Sequence, residues 1–467
     1  MITERVAPVL PLSQPPSDQP PSDQRGVRRL TGAGLAALVL LCALTLLLGY
    51  ANKTRCTGPE FNADGRSGPD YDIRKNRDLC YSDIQHLWVA RDLDEHAVPY
   101  LSGGINEQGE MYGGTVEYPV LTGLQIWLSG LPVKTDAGFL LSSALVLAPF
   151  GLLTAALLGQ LAGRRALLWA LGPPLVLYSF HNWDLPAVAT TVAAVWVVHA
   201  RWLDRPLAER GVVAGVLLGI GFAFKLYPAA FVAPLALYVL TGRPGSRWDV
   251  AGALRVCAAA TGTALLVNLP FAVLGYRGWR AAFTFQQQRA VDFTTNSIWY
   301  WGWRPHSDTA GFQAIMDWVS PLAVLASFAL ALALGWRRYR RDGSYPWIAV
   351  SAAMLCGFLL LHKVHSPQYT LWLLPFLVLL RVPWGWIAGY LAADLAMGLG
   401  IFRWYYQLSQ GLPAGIADGL AAQAVAVGVW GRAALLIALF WVFLHSRSTV
   451  TGPEPPRSAS QAALPDG

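Results

Sequence analysis

Apolar runs of bilayer-crossing length recur along this 467-residue chain, and arginine collects in alternate gaps between them. A helical crossing needs about 20 apolar residues. Inside lipid every backbone N–H and C=O must find its partner within the protein, which leaves helices or a closed barrel. The runs are continuous rather than alternating, so they predict helices. They fall at 30–50, 138–161, 166–180, 184–203, 209–225, 228–241, 250–272, 313–336, 346–361, 367–381, 384–402 and 422–444. The fold class read here is an all-α polytopic membrane protein with about twelve transmembrane helices. Charged residues make up only 13% of the chain, whereas a soluble domain carries about a quarter. Several runs are short, which predicts tilted or broken helices, with Pro173–Pro174, Pro228 and Pro367 at the breaks.

One set of gaps holds Arg164 and Arg165, then Arg201, Arg205 and Arg210, Arg243 and Arg247, Arg337 to Arg341, and Arg381. Loops rich in arginine stay in the cytoplasm. An even number of helices puts both termini there too. The opposite gaps, 51–137, 181–183, 226–227, 273–312, 362–366 and 403–421, are then extracytoplasmic and are richer in Asp, Glu, His, Trp and Tyr. The predicted organisation is a disordered cytoplasmic tail at 1–29, a transmembrane domain at 30–445 and a second such tail at 446–467. The large exterior loops are 51–137 and 273–312. The expected location is the plasma membrane, with the chemistry on its outer side. Run 30–50 follows Arg25, Arg28 and Arg29 as a signal peptide would, but no small-residue cleavage site follows it, so it reads as an uncleaved first helix. Residues 116–132 are apolar but short, and read as interfacial or re-entrant. The net charge of +7 comes largely from arginine beside the spans. No basic-aromatic module accompanies it, so no nucleic-acid partner is expected.

Cys42, Cys257 and Cys356 lie inside spans and read as small hydrophobes. Cys56 and Cys80 share the first exterior loop, as a disulfide or as two thiols; the oxidising exterior favours the bridge.

The stretch Cys80-Tyr-Ser-Asp-Ile-Gln-His-Leu-Trp88 carries Ser82 and Gln85 at capping-box spacing, followed by an amphipathic pattern. It predicts a short helix lying on the membrane surface. Asp83 in its first turn would stay ionised beside the helix dipole, as a general base does, or would simply start the helix. Asp72 is the fallback for that role. Asp184, next to His181, Asn182 and Trp183, either caps a helix or lines a cavity. Lys225 ends an apolar run and suits a phosphate, although a lysine there can also snorkel. His362, Lys363, His365, Gln368 and Tyr369 form a polar junction between runs. With no third ligand at useful spacing a metal is not expected. The histidines and the lysine suit a phosphate, and Gln368 and Tyr369 suit sugar hydroxyls. Loop 273–312 adds Trp299 and Trp301, either a membrane belt or platforms for a sugar face, and Arg289, an exterior arginine suited to an anion.

The exterior loop with an Asp before an amphipathic helix, Glu117-Tyr-Pro119, Lys225-Leu-Tyr-Pro228, and Ser366-Pro-Gln-Tyr369 before Leu-Trp-Leu-Leu-Pro375 together resemble the GT-C membrane glycosyltransferases. Within that class the chain looks like family 87, which contains actinobacterial polyprenyl-phosphomannose-dependent mannosyltransferases. The resemblance covers roughly residues 30–445. It implies a GT-C-like fold, an extracytoplasmic site, a polyprenyl-phosphate sugar as donor and a lipid or glycan of the cell envelope as acceptor. It also implies inverting transfer without metal or other cofactor, with Asp83 as base. Lys225 and the histidine junction would hold the donor phosphate, and Glu117 and Tyr118 would belong to the sugar and acceptor site. A transporter or lipid flippase is the alternative, since broken helices fit it too; a non-catalytic scaffold for envelope synthesis is the third reading.

Overall fold

Each long apolar run forms one helix, because only a helix pairs all its backbone groups within a single segment. The computed structural model describes residues 29–199, 205–242 and 248–450. The order begins with α1 (Gly32–Thr54), α2 (Tyr71–Arg77), α3 (Asp83–Ala90), strands β1 (Gly104–Ile105) and β2 (Met111–Tyr112), then α4 (Val120–Gly130) and α5 (Asp136–Ala162). It continues with α6 (Leu167–Ala170), α7 (Pro173–Tyr178), α8 (Leu185–His199), α9 (Leu207–Phe224), α10 (Val232–Leu240), α11 (Val250–Leu274), α12 (Tyr276–Gln288) and α13 (Ile298–Trp303). Last come α14 (Ala310–Asp342), α15 (Trp347–Leu361), α16 (Thr370–Leu379), α17 (Trp384–Ser409) and α18 (Leu420–His445). The tail predicted at 1–29 and most of that at 446–467 lie outside the described residues.

Among the described residues, seven helices are long and apolar enough to cross a membrane, and five apolar helices are shorter. The protein is an all-α, multi-pass membrane protein. Its surface agrees: Leu40, Leu44 and Leu47 on α1, Leu265, Leu266 and Leu269 on α11, and Trp318, Leu322 and Leu325 on α14 all face outward. Water would tolerate no such rows, since apolar area costs about 25 cal/mol per Å² to expose. Every residue of α16 is buried, and α15 is nearly so. These short helices form the centre of the bundle, and α1, α11 and α14 form part of its lipid-facing rim.

The short runs break where proline predicts. Pro173 and Pro174 open α7, and 3₁₀ turns at Tyr227–Phe231 and Pro367–Tyr369 carry Pro228 and Pro367. Segment 116–132 contains α4, whose 11 residues are too few to span. Helices α9 and α11 meet closely through Gly211, Gly215 and Gly219. A Cβ on Gly215 would stand 2.7 Å from the Val256 carbonyl oxygen, and one on Gly219 2.6 Å from that of Ala260. Small residues every fourth position permit this backbone approach in membrane helices. At the arginine-rich end, Arg165 donates to the carbonyls of Leu377, Leu380 and Val382 and so closes the C-terminus of α16.

Residues 55–135 form a cap over the other end. Cys56 and Cys80 are joined in a disulfide. Buried Asp136 holds the cap to α5: it accepts from Ser67 Oγ at 2.5 Å, Ser67 N at 2.9 Å and Gln85 Nε2 at 3.2 Å. Gln85 is therefore engaged with α5 and does not form the predicted capping box. Ser82 donates instead to the Phe180 carbonyl (2.6 Å), and the Asp83 N–H donates to His181 O (2.8 Å). The start of α3 is thus closed by the 179–184 loop. Helix α3 has no exposed residue; both faces are covered by the protein, one of them by α5.

Candidate active site

The C-terminal ends of α9, α15 and α17 meet beneath the cap. A cavity of about 990 Å³ lies between them. Asp83 occupies its wall because α3 starts on the 179–184 loop. Tyr81 OH donates to Asp83 Oδ1 at 2.7 Å, and Asn182 Nδ2 donates to Oδ2 at 2.6 Å. Asn182 then turns its own Oδ1 to Lys225, whose ammonium donates to it at 2.9 Å. One amide therefore links an anion and a cation across the cavity wall. Lys225 follows the last turn of α9; its Nζ stands 4.3 Å from the Tyr118 ring centre and 3.5 Å from Asp184 Oδ1.

Burial alone would push the Asp83 carboxyl up. A protonated His181 and the hydrogen bonds from Tyr81 and Asn182 act against burial, and the carboxyl is held below its ordinary value. His181 is itself pushed down to about 3, by burial first and by Lys53 next, so at neutral pH its ring carries no charge and the two hydrogen bonds remain. Burial also pushes His86, on the same helix as Asp83, down to about 4. Asp83 is thus a carboxylate at neutral pH, able to accept a proton.

Beside Lys225 the wall is aromatic. Tyr369 stacks on Trp372 at 3.9 Å between centroids, Trp372 on Tyr227 at 4.3 Å, and Phe358 leans on Trp372. Gln368, His362 and Arg289 complete this side. Glu117 also lines the cavity but is held by Arg91 through contacts of 3.0 and 3.3 Å.

The structure brings Asp83, Lys225, His362, Arg289, Gln368, Tyr369, Glu117 and Tyr118 to this cavity. It places the remaining candidates elsewhere. Lys363 turns away to Asp317 (2.7 Å) on α14 and to the Gln287 carbonyl. His365 is buried behind the wall: Nδ1 contacts the Leu359 carbonyl, the ring packs edge-on against Tyr369, and burial pushes it well below its ordinary range. Asp184 sits behind Lys225 and accepts from Trp372 Nε1 at 2.8 Å, so it supports the wall without lining it. Trp299 donates to the Leu361 carbonyl, and Trp301 packs on Trp404 under Arg304; neither faces the cavity. Asp72 is exposed and paired with Lys75.

Sequence reasoning missed Tyr81, Arg91 and Lys53. Lys53 ends its apolar run much as Lys225 does, a signal that was there to be read. It also missed Asp394 and Arg432, charges inside runs that are otherwise apolar. Thr370 donates to Asp394 at 2.5 Å, and Arg432 reaches the carbonyl of Asn296, a cavity residue, at 3.4 Å.

Fold and cavity define a class: a multi-pass helical membrane protein with a carboxylate and a cation facing one cavity. No protein-family model matches the chain. Over 206 residues it is 24% identical to GPI mannosyltransferase 1 of Saccharomyces cerevisiae, a stretch covering 42% of this chain and 51% of that protein. The chain thus spans about half the length of the curated relative it matches. It is also similar to the crystal structure of ArnT from Cupriavidus metallidurans bound to undecaprenyl phosphate, with a TM-score of 0.42, 16% identity, and 88% of this chain and 77% of that one covered. A third likeness is the apo oligosaccharyltransferase of Archaeoglobus fulgidus, with a TM-score of 0.37, 12% identity, and 89% and 56% covered. At these values the overlaps assign neither family nor chemistry.

Proposed function

We propose that this protein is a GT-C-type membrane glycosyltransferase that moves a hexose, mannose first among candidates, from a polyprenyl-phosphate donor to a lipid or glycan acceptor. The observation that carries this reading is the Asp83–Asn182–Lys225 chain on the wall of the cavity. The matched relative is named a mannosyltransferase, which supports the same reading. The donor phosphate would sit against Lys225 and Arg289, and His362 would contribute a hydrogen bond. The acceptor hydroxyl oxygen attacks the anomeric carbon while its proton passes to an Asp83 oxygen. The bond from the anomeric carbon to the phosphate oxygen breaks, and the lipid phosphate leaves with the bonding pair, held by the side-chain cations. A β-linked donor would give an α-linked product. In this reading the cavity opens on the extracytoplasmic side, opposite the arginine-rich ends, with both termini cytoplasmic.

The test uses purified protein in vesicles supplied with membrane lipid extract and radiolabelled polyprenyl-phosphate mannose, with the glucose-bearing lipid alongside. Label should move from the carrier lipid to a new lipid or glycan, and faster from the mannose donor. No transfer from either donor, with either lipid merely crossing the bilayer, would replace the reading with a flippase.

A further inference from the structure

Lys53 is the most deeply enclosed cation beside the site. It lies at the end of α1, 2% exposed, with no carboxylate within 4.0 Å among the described residues. An ammonium is costly to bury without a partner of opposite charge. Its two contacts are specific: Nζ donates to the Tyr81 carbonyl at 2.8 Å and meets His181 Nδ1 at 3.4 Å. Both partners hold Asp83. Tyr81 gives its hydroxyl to the carboxylate, and the His181 carbonyl takes the Asp83 N–H. An ammonium has only hydrogens to offer, so a charged Lys53 would meet a lone pair on Nδ1. That pairing would leave the proton of neutral His181 on Nε2, and His181 lines the cavity. Its ring is set by Tyr81, Tyr178 and Phe402, with centroids 5.4, 6.3 and 5.8 Å away.

We infer that Lys53 is the positioning residue of the Asp83 base: it supplies positive charge behind the carboxylate and locks His181 in the Nε2–H form, as a hydrogen-bond donor toward a substrate oxygen. The inference rests on the transferase reading for its kinetics, but not for the tautomer. Asp83 is faced by Lys53 from α1, Tyr81 from the preceding loop, His86 from its own helix, and His181 with Asp184 behind it from the 179–184 loop. Glu117 and Tyr118 from the strand-to-α4 segment, Lys225 from the end of α9, Tyr71 from α2 and Tyr369 from the turn before α16 also face it. Of these, Lys53 contacts Tyr81 and His181 at once and lies outside the cavity lining, which separates its role from substrate contact.

The experiment compares wild type, Lys53→Met and Lys53→Arg in the vesicle transfer assay across pH. Without the cation, the carboxyl binds its proton more readily. The acid limb of kcat/KM should therefore move up by about one pH unit in Lys53→Met, and kcat should fall about tenfold with KM little changed. Lys53→Arg should restore the limb. A purely structural role would lower the melting temperature and leave the limb in place, and an unmoved limb overturns the inference. Should Lys53→Met fail to accumulate, wild-type protein labelled with ¹⁵N-histidine decides the tautomer, the His181 signals being assigned by loss in His181→Gln. Nε2–H is expected at pH 7; an Nδ1–H or doubly protonated ring overturns the inference. Absent transfer in wild type, with Nε2–H observed, would instead count against the transferase reading alone.

Discussion

Asp83→Asn should lower transfer about 10³-fold, the scale at which a general base contributes. The substitution keeps size and shape. Its amide oxygen can still accept from Asn182, and the Tyr81 hydroxyl can turn to accept from the new amide N–H, so both wall contacts at 2.6 and 2.7 Å have a counterpart. What disappears is the capacity to take a proton. The loss should fall on kcat, with KM and melting temperature close to those of wild type. The wild-type pH profile follows from the same residue. Because the Asp83 carboxyl is held below its ordinary value, it remains a base down to the acid end of the range. Activity should therefore stay flat from neutral pH down to the ordinary carboxylate range and drop only where Asp83 itself takes up a proton. Initial rates of label transfer in vesicles measure both effects. Retention of more than a tenth of wild-type rate in Asp83→Asn would remove this residue from the chemistry.

Lys225→Gln should lower kcat/KM about 10²-fold. Charge that develops on the leaving phosphate is held by preorganised donors, and removing one such donor costs about 10² to 10³ in rate. Glutamine can still donate to Asn182 Oδ1, so the 2.9 Å link to the Asp83 wall survives in kind while the charge is lost. The loss should grow as donor becomes limiting, whereas Lys53→Met lowers kcat with KM little changed. That separates this variant from Lys53→Met, whose effect runs through the carboxylate. Donor titration of initial rates reads the change; a variant equal to wild type would place the phosphate elsewhere.

The membrane helices were legible because their signal is local: an unbroken apolar run and a proline at the break suffice. The place of Asp83 in the first turn of a short helix was legible for a similar reason. Its surroundings were not. The capping box was the wrong reason for a correct helix start, since the groups that close α3 arrive from residues 180 and 181, about a hundred positions away. The junction at 362–369 shows the same limit. After α15 ends, the backbone is no longer helical, so spacing says nothing about direction. His362 faces the cavity, Lys363 finds a carboxylate on α14, and His365 turns into the core. Trp299 and Trp301 sit two apart on a helix, where neighbours of that spacing point different ways. Asn182 was seen as part of a polar cluster, but its role as the bridge between Asp83 and Lys225 exists only in three dimensions.

In the proposed reaction a sugar on a lipid phosphate reacts between Asp83 and Lys225. A cryo-electron microscopy structure of the Asp83→Asn protein in nanodiscs with polyprenyl-phosphate mannose addresses it directly. The phosphate is expected within hydrogen-bond reach of the Lys225 ammonium, with the anomeric carbon turned toward residue 83. A headgroup seated outside this cavity, or one whose phosphate touches neither Lys225 nor Arg289, would contradict it.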